Sequence, residues 1–245
     1  MLEHPYIADW SDIGLSPPSP LVLPADWSVI SREDRYFCNY QSFDQFASSP
    51  EFDPKADRKI HLGLVPVPFV GSLAKSRVFI LMLNPGLSPG DYAEEETGAY
   101  RSALVENLQQ RESRAEYPFL FLDPRWAWVG GARYWTNKLA DVVDVVQHEL
   151  QLGYSEALAY ISQRISVLQF LPYHSRNYHL PGSVESSLPS CVNAKSYVQR
   201  VLLPRVRQGD DVAVVVARSA KKWAIEDEED GVVVYQGAEA RSASL

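Results

Sequence analysis

The chain has 245 residues, of which 46% are hydrophobic and 22% charged, an ordinary globular composition long enough to bury a core without disulfide or metal staples. Its formal net charge of -8 argues against indiscriminate binding to polyanions, which needs a broad basic field, though not against a local basic groove. Two cysteines, Cys38 and Cys191, and five scattered histidines match neither a disulfide framework nor a zinc pattern, so packed thiols in a reducing cytoplasm and no metal or other cofactor are expected. No apolar run is long enough to span a bilayer, and the N-terminal residues do not read as a signal peptide.

Residues 1–58 read as an irregular, proline-rich arm around a short helix. Its aromatic residues, among them Trp10, Trp27, Tyr36 and Phe46, predict packing against the domain formed by residues 59–245. A short strand is expected over 59–65. Residues 77–83 form a continuous apolar run, the mark of a central parallel strand buried on both faces. Helical sequence follows around 97–111 and again over 134–150, where Trp135, Leu139, Val142, Val143, Val146 and Leu150 recur at helical spacing. A shorter helix over 154–163 leads to a strand at 165–171. Residues 192–206 read as helix bent or ended by Pro204. A second central strand at 211–217, a short helix at 219–225 and a last strand at 231–236 complete the pattern. Alternating strands and helices predict an α/β fold, a three-layer sandwich around a mostly parallel sheet.

Ligands of open parallel sheets bind outside the carboxyl ends of the strands. Four polar segments fall there: 84–92, 172–178, 218–222 and 237–245. In the first, Asn84-Pro85-Gly86 makes a sharp turn, with Pro85 fixing one backbone angle and Gly86 permitting positive φ. An amide at Asn84 can hold a water and orient a substrate carbonyl, although the same tripeptide serves as a plain structural turn. In the second, Gln169 lies inside an apolar strand, where a buried amide either pairs with backbone or reads a ligand's edge. Phe170 offers a stacking surface or core packing. His174 and His179 titrate near neutrality and offer acid, base or phosphate contacts, or are surface histidines. Tyr173, His174, Ser175, Arg176 and Asn177 together read as a binding loop. The segment around Glu239, Arg241, Ser242 and Ser244 ends the chain as a phosphate-approach loop or a frayed tail.

The stretch VFILMLNPG at 78–86 resembles the first motif of the uracil-DNA glycosylase superfamily, closest to its single-strand-selective and mismatch-specific branches. The strand ending Gln169-Phe170-Leu171-Pro172 is similar to the strand that carries the base-reading amide, with Gln169 where the family has asparagine. Ser242-Ala243-Ser244-Leu245 falls where the second motif belongs, with Ala240 and Arg241 in place of its His or Asn and Pro. The resemblance covers residues 60–245 and implies a uracil-DNA-glycosylase-like fold and base excision from DNA, single- or double-stranded, by a cytoplasmic, nucleoid-associated monomer without a cofactor. Carried over, Asn84 positions the attacking water; His174 is a second catalytic candidate from its residue type, not from the resemblance. Gly86 gives close approach, Gln169 reads the base, and Phe170 or Tyr92 stacks on it. Arg176, Lys221, Arg241, Ser242 and Ser244 contact the DNA backbone. Gln169 in place of asparagine implies a different base or one with an extra group. Two other readings stay open: a hydrolase or transferase of free nucleosides or nucleotides, and a catalytically silent module that binds a modified base or a protein.

Overall fold

The computed structural model describes residues 4–11, 13, 20–111, 116–225 and 227–235. The chain is a mixed α/β structure with two sheets, mostly parallel. The larger sheet is built from β3 (Phe69–Val70), β4 (Val78–Met82), β5 (Ile165–Gln169), β6 (Ala213–Val216) and β7 (Val232–Val234) in the order β3-β5-β4-β6-β7. β4 lies at its centre, parallel to β5 on one side and to β6 on the other, while β3 pairs antiparallel with β5 at the edge. The apolar run of β4 explains that position. Phe79, Ile80, Leu81 and Met82 are all buried, as a strand covered on both faces requires.

The smaller sheet departs from expectation. The strand expected over 59–65 shrinks to β2 (Ile60–His61), which pairs in parallel with β1 (Phe37–Cys38) from the arm rather than joining the main sheet. β3 was not foreseen at all, since Val65-Pro66-Val67-Pro68 before it gives no regular alternation. The helix expected over 134–150 is two helices, Gly130–Lys138 and Ala140–Leu150, which meet at Leu139 where the backbone leaves helical geometry (φ -101°, ψ 11°). Near Pro204 the chain does not stop. A π turn over Val198–Leu202 links helix Pro189–Tyr197 to helix Leu203–Arg207, so Pro204 is taken into a continuous helical run just after a widened turn.

The arm contributes helices Pro5–Ser11, Pro24–Ile30 and Phe43–Ala47. Tyr6 and Trp10 are buried in the same apolar core as the sheet, Tyr6 donating its hydroxyl proton to the Pro68 carbonyl at 2.5 Å. Asp26, fully buried, accepts from the Tyr173 hydroxyl at 2.6 Å and from the Ser190 N–H at 2.9 Å. The arm is thereby tied to the segment that follows β5. Cys38 and Cys191 are free thiols, and burial pushes both well above the usual thiol range. No helix among the described residues is long and apolar enough to cross a membrane.

Candidate active site

The carboxyl ends of β4, β5 and β6 open onto a cavity of about 420 Å³. Its position follows from strand pairing. Met82 is level with Gln169, and two further bonds, Phe170 N–H to the Met82 carbonyl at 3.2 Å and Leu171 N–H to the Leu83 carbonyl at 2.9 Å, zip the strand ends together beyond the ladder. Asn84 therefore leaves the sheet beside Gln169, and both side chains line the cavity.

Asn84 is held firmly. Its amide nitrogen donates to Ser175 Oγ at 2.8 Å and to the Pro85 carbonyl at 2.7 Å, with the Tyr173 carbonyl at 3.4 Å. Those bonds fix the amide orientation and leave Oδ1 as the acceptor for a water or ligand. Gln169 is 5% exposed, and its Oε1 has no hydrogen-bond partner among the described residues. A buried carbonyl oxygen without a donor is costly, and a ligand N–H or O–H would satisfy it.

Gly86 also lines the cavity, but not for the reason its residue type suggested. Its φ is not positive, and a β-carbon built on it would meet nothing within 4 Å. The fold does not require glycine there; its bareness keeps the cavity mouth open.

His174 lies in the cavity wall with both ring nitrogens against backbone carbonyls, Nδ1 at 2.9 Å from Gly86 and Nε2 at 3.1 Å from Val65. Burial pushes its imidazole down to about 4 despite those carbonyls. A neutral ring donates to only one of them. With both nitrogens so engaged, His174 braces the Asn84-Pro85-Gly86 turn instead of offering a free acid or base. Arg176 is likewise drawn inward. Its Nε lies 3.6 Å from the buried carboxylate of Asp57, and Nε and Nη2 have no hydrogen-bond partner among the described residues. It borders the cavity and is not an exposed backbone contact.

Three expected site residues are not brought to the cavity. Phe170 packs edge-on against Trp223 in the core, with ring centroids 5.4 Å apart. Tyr92 stacks on Phe46 at 4.8 Å, and its hydroxyl meets His61 Nδ1 at 3.0 Å in a small separate core. Lys221 is exposed on the short helix Ala220–Trp223 and does not border the cavity. Arg241, Ser242 and Ser244 lie outside the described residues.

The aromatic wall comes from residues that sequence reasoning did not assign to the site: Tyr100, Phe121, Tyr134 and Trp135, the last expected only as part of a helix's apolar stripe. The Gly130-Gly131 pair was the available signal. A β-carbon on Gly131 would come within 2.5 Å of Phe121, so the bare backbone lets that ring lie against the start of helix Gly130–Lys138.

Against the start of that helix stand Asp91, Glu94 and Glu95 on helix Asp91–Glu96, which also line the cavity. Each takes a backbone N–H: Asp91 from Ser88, Glu94 from Gly130 and Glu95 from Val65. Burial still dominates, pushing Asp91 up to about 7 and Glu95 up to about 8, with Arg101 only partly offsetting the latter at 3.1 Å. A carboxylate that titrates near neutrality can accept a proton from water, which suits Asp91 to base chemistry in the cavity that Asn84 also lines.

The shift at Glu95 has a consequence for stability. Its folded value lies above the ordinary 4.5, so between about 4.5 and about 8 the folded state binds more protons than the unfolded chain. Stability then falls as pH rises through that window. In Glu95→Gln this contribution is gone, and thermal unfolding midpoints measured from about pH 5 to pH 8 should fall less steeply than in the wild type. Parallel curves would mean that Glu95 stays ionised in the fold.

Among the described residues no group of three or more His, Cys, Asp or Glu side chains is placed to hold a metal ion. Compared with family models, with curated proteins and with solved structures, the chain matches none of them.

Proposed function

We propose that the chain is a monofunctional DNA glycosylase that hydrolyses the N-glycosidic bond of a flipped-out damaged or modified base. The observation that carries this reading is that the Asn84 and Gln169 amides, at the ends of adjacent parallel strands, border one cavity large enough for a flat heterocycle. In this reading water held at Asn84 Oδ1 adds to the anomeric carbon. The C–N bond breaks, its electron pair leaves with the base, and Asp91 takes the water's proton. Gln169 reads the base edge and Phe121 or Tyr134 supplies the stacking surface, worth about 1–3 kcal/mol per base. Flipping costs about a few kcal/mol, least for a damaged or unpaired base. A three-layer, uracil-DNA-glycosylase-like sandwich belongs to the same proposal, supported by the order of the Asn84, Gln169 and C-terminal segments along the chain.

The test is a panel of oligonucleotides carrying uracil, hypoxanthine, mismatched thymine, and hydroxymethylated or glycosylated cytosine, scored for abasic sites. A second reading, hydrolysis of a free nucleoside or nucleotide, is favoured by the net charge of -8. Free nucleosides and nucleotides in the same panel discriminate, because only the second reading has them cleaved in preference to DNA.

Gly86→Leu gives a further check. The open space around Gly86 predicts an unfolding midpoint close to wild type, whereas a side chain at the cavity mouth should cut base release by about tenfold or more, as small misplacements of a reacting group do. Full activity in this variant would move the substrate away from Gly86.

A further inference from the structure

Tyr100 lines the cavity and is itself buried, and its ring meets two indoles that do not line it, Trp126 at 5.4 Å and Trp128 at 6.0 Å between centroids. The indoles also meet each other, at 6.5 Å. The ring planes in these three contacts are inclined by 56°, 63° and 61°, so none of the rings lies flat on another. Trp128 is 48% exposed. The chain around it is pinned on both sides. Asp123 caps the 3₁₀ turn Pro124–Trp126 by accepting from the Arg125 N–H at 2.9 Å, and the Gly130 N–H donates to Glu94 at 2.9 Å. Val129 between Trp128 and Gly130 is fully buried. Trp128 is thereby held two residues from Gly130, a cavity residue, with half of a broad apolar ring in water. A flat ligand that settles on a ring already fixed in place orders little else, which suits such a ring to binding. Exposed arginines flank it in the chain. Arg125, ion-paired with Asp123, lies 5.8 Å from the Trp126 ring, and Arg133 stands in the first turn of helix Gly130–Lys138.

We propose that Trp128, backed by Trp126, is a stacking platform for the unpaired bases that neighbour the one in the cavity, so that the partner of this face is single-stranded DNA. The proposal rests on the base-excision reading of the cavity and adds to it how the strand is held. Tyr100 touches the cavity and both indoles, so a strand that places one base in the cavity brings the next bases to Trp128. Every base has a flat face for an indole to cover, which makes such a platform tolerant of sequence. In a duplex those faces are already stacked and paired, and the platform has nothing to hold. Arg125 and Arg133 place positive charge along the same stretch of chain, local relief from a net charge of -8 for a polyanion lying across it.

The test is binding, by fluorescence anisotropy at low salt, of single-stranded oligothymidylate of about fifteen nucleotides, within the span such surfaces cover. The same strand with base-free spacers at all but its central position keeps the phosphates and removes the flanking bases. Wild type is compared with Trp128→Ala, Trp128→Leu, Trp128→Phe and, as a control in the arm, Trp27→Ala, which removes another exposed indole. Trp128→Ala and Trp128→Leu should weaken oligothymidylate binding on the order of tenfold, with Trp128→Phe recovering part of the loss and Trp27→Ala behaving as wild type. The slope of log affinity against log salt should not change, because no phosphate contact is lost. On the base-free strand wild type and Trp128→Ala should bind alike. Should Trp128→Ala lower the unfolding midpoint, Trp128→Leu against Trp128→Phe carries the comparison, since both keep an apolar group against Tyr100. Wild-type affinity for oligothymidylate in Trp128→Leu would overturn the platform. So would an equal loss on the base-free strand, which would give this face to some other partner, and so would failure of the wild type to bind oligothymidylate. Binding that depends on Trp128 and on the flanking bases, without release of any base, would leave the platform standing and remove the excision reading instead. Base release that persists at the wild-type rate and affinity in Trp128→Leu would do the reverse.

Discussion

Replacing Asn84 by alanine is expected to slow base release by about 10²–10³-fold, the usual effect of deleting one preorganised polar group at a reacting centre, while DNA affinity stays near wild type. The expectation rests on how Asn84 is held. Its amide nitrogen is anchored on Ser175 Oγ and the Pro85 carbonyl, so Oδ1 is oriented before any ligand arrives. A water bound there needs no reorganisation when the glycosidic bond begins to break. The truncation also frees a bond to Ser175, a loss of about 1 kcal/mol, too small to unfold the protein. Single-turnover formation of abasic sites measures the first quantity, and fluorescence anisotropy with the same oligonucleotide measures the second. Equal turnover in wild type and Asn84→Ala would remove Asn84 from the chemistry. A wild type that binds a modified base yet releases none, with the variant indistinguishable, would leave a binding module.

The sequence disclosed the centre of this site better than its walls, for geometric reasons. A continuous apolar strand followed by Asn84-Pro85-Gly86 marks a strand end without ambiguity, and a polar Gln169 inside β5 asks for a partner. Strand alternation then decides between neighbours: if Gln169 faces the cavity, Phe170 faces away, where it meets Trp223. The same logic applies on helix Asp91–Glu96. Asp91, Glu94 and Glu95 share one face at i, i+3 and i+4, and Tyr92 falls off it into the Phe46 cluster. Both exclusions were available from periodicity alone. The choice of Lys221 over Arg218, which does line the cavity, was not, because the left-handed Ser219 (φ 61°) between them carries no sequence signature. Nor was the aromatic wall, whose members come from three separate segments that only tertiary packing brings to one cavity. β3 and the small β1-β2 sheet are two-residue strands, too short for any alternation to register.

The largest loss of stability is expected from Asp57→Ala, about 3–5 kcal/mol, the range for removing one partner of a buried charge pair. Asp57 is completely buried, as is His61, whose Nε2 lies 3.2 Å from its carboxylate. His61 Nδ1 in turn meets the Tyr92 hydroxyl, while Arg176 approaches the carboxylate from the cavity side at 3.6 Å. One carboxylate therefore serves both the small core under the arm and the cavity wall. Without it the Arg176 guanidinium, already short of hydrogen bonds, is left charged and unpaired in a poorly hydrated wall, and His61 loses its second ring partner. For a chain of this size the loss corresponds to a fall of roughly 6–20 °C in the unfolding midpoint. The coupling also makes a distinction possible. Arg176→Met removes the cation and keeps the apolar stem, so in the Asp57→Ala background it should restore part of the midpoint, because no uncompensated charge remains. Thermal unfolding of the two single variants and the double variant reads this directly. If the double variant is no more stable than Asp57→Ala alone, the cost lies with His61 and Tyr92, and Arg176 is held in the wall by something other than Asp57.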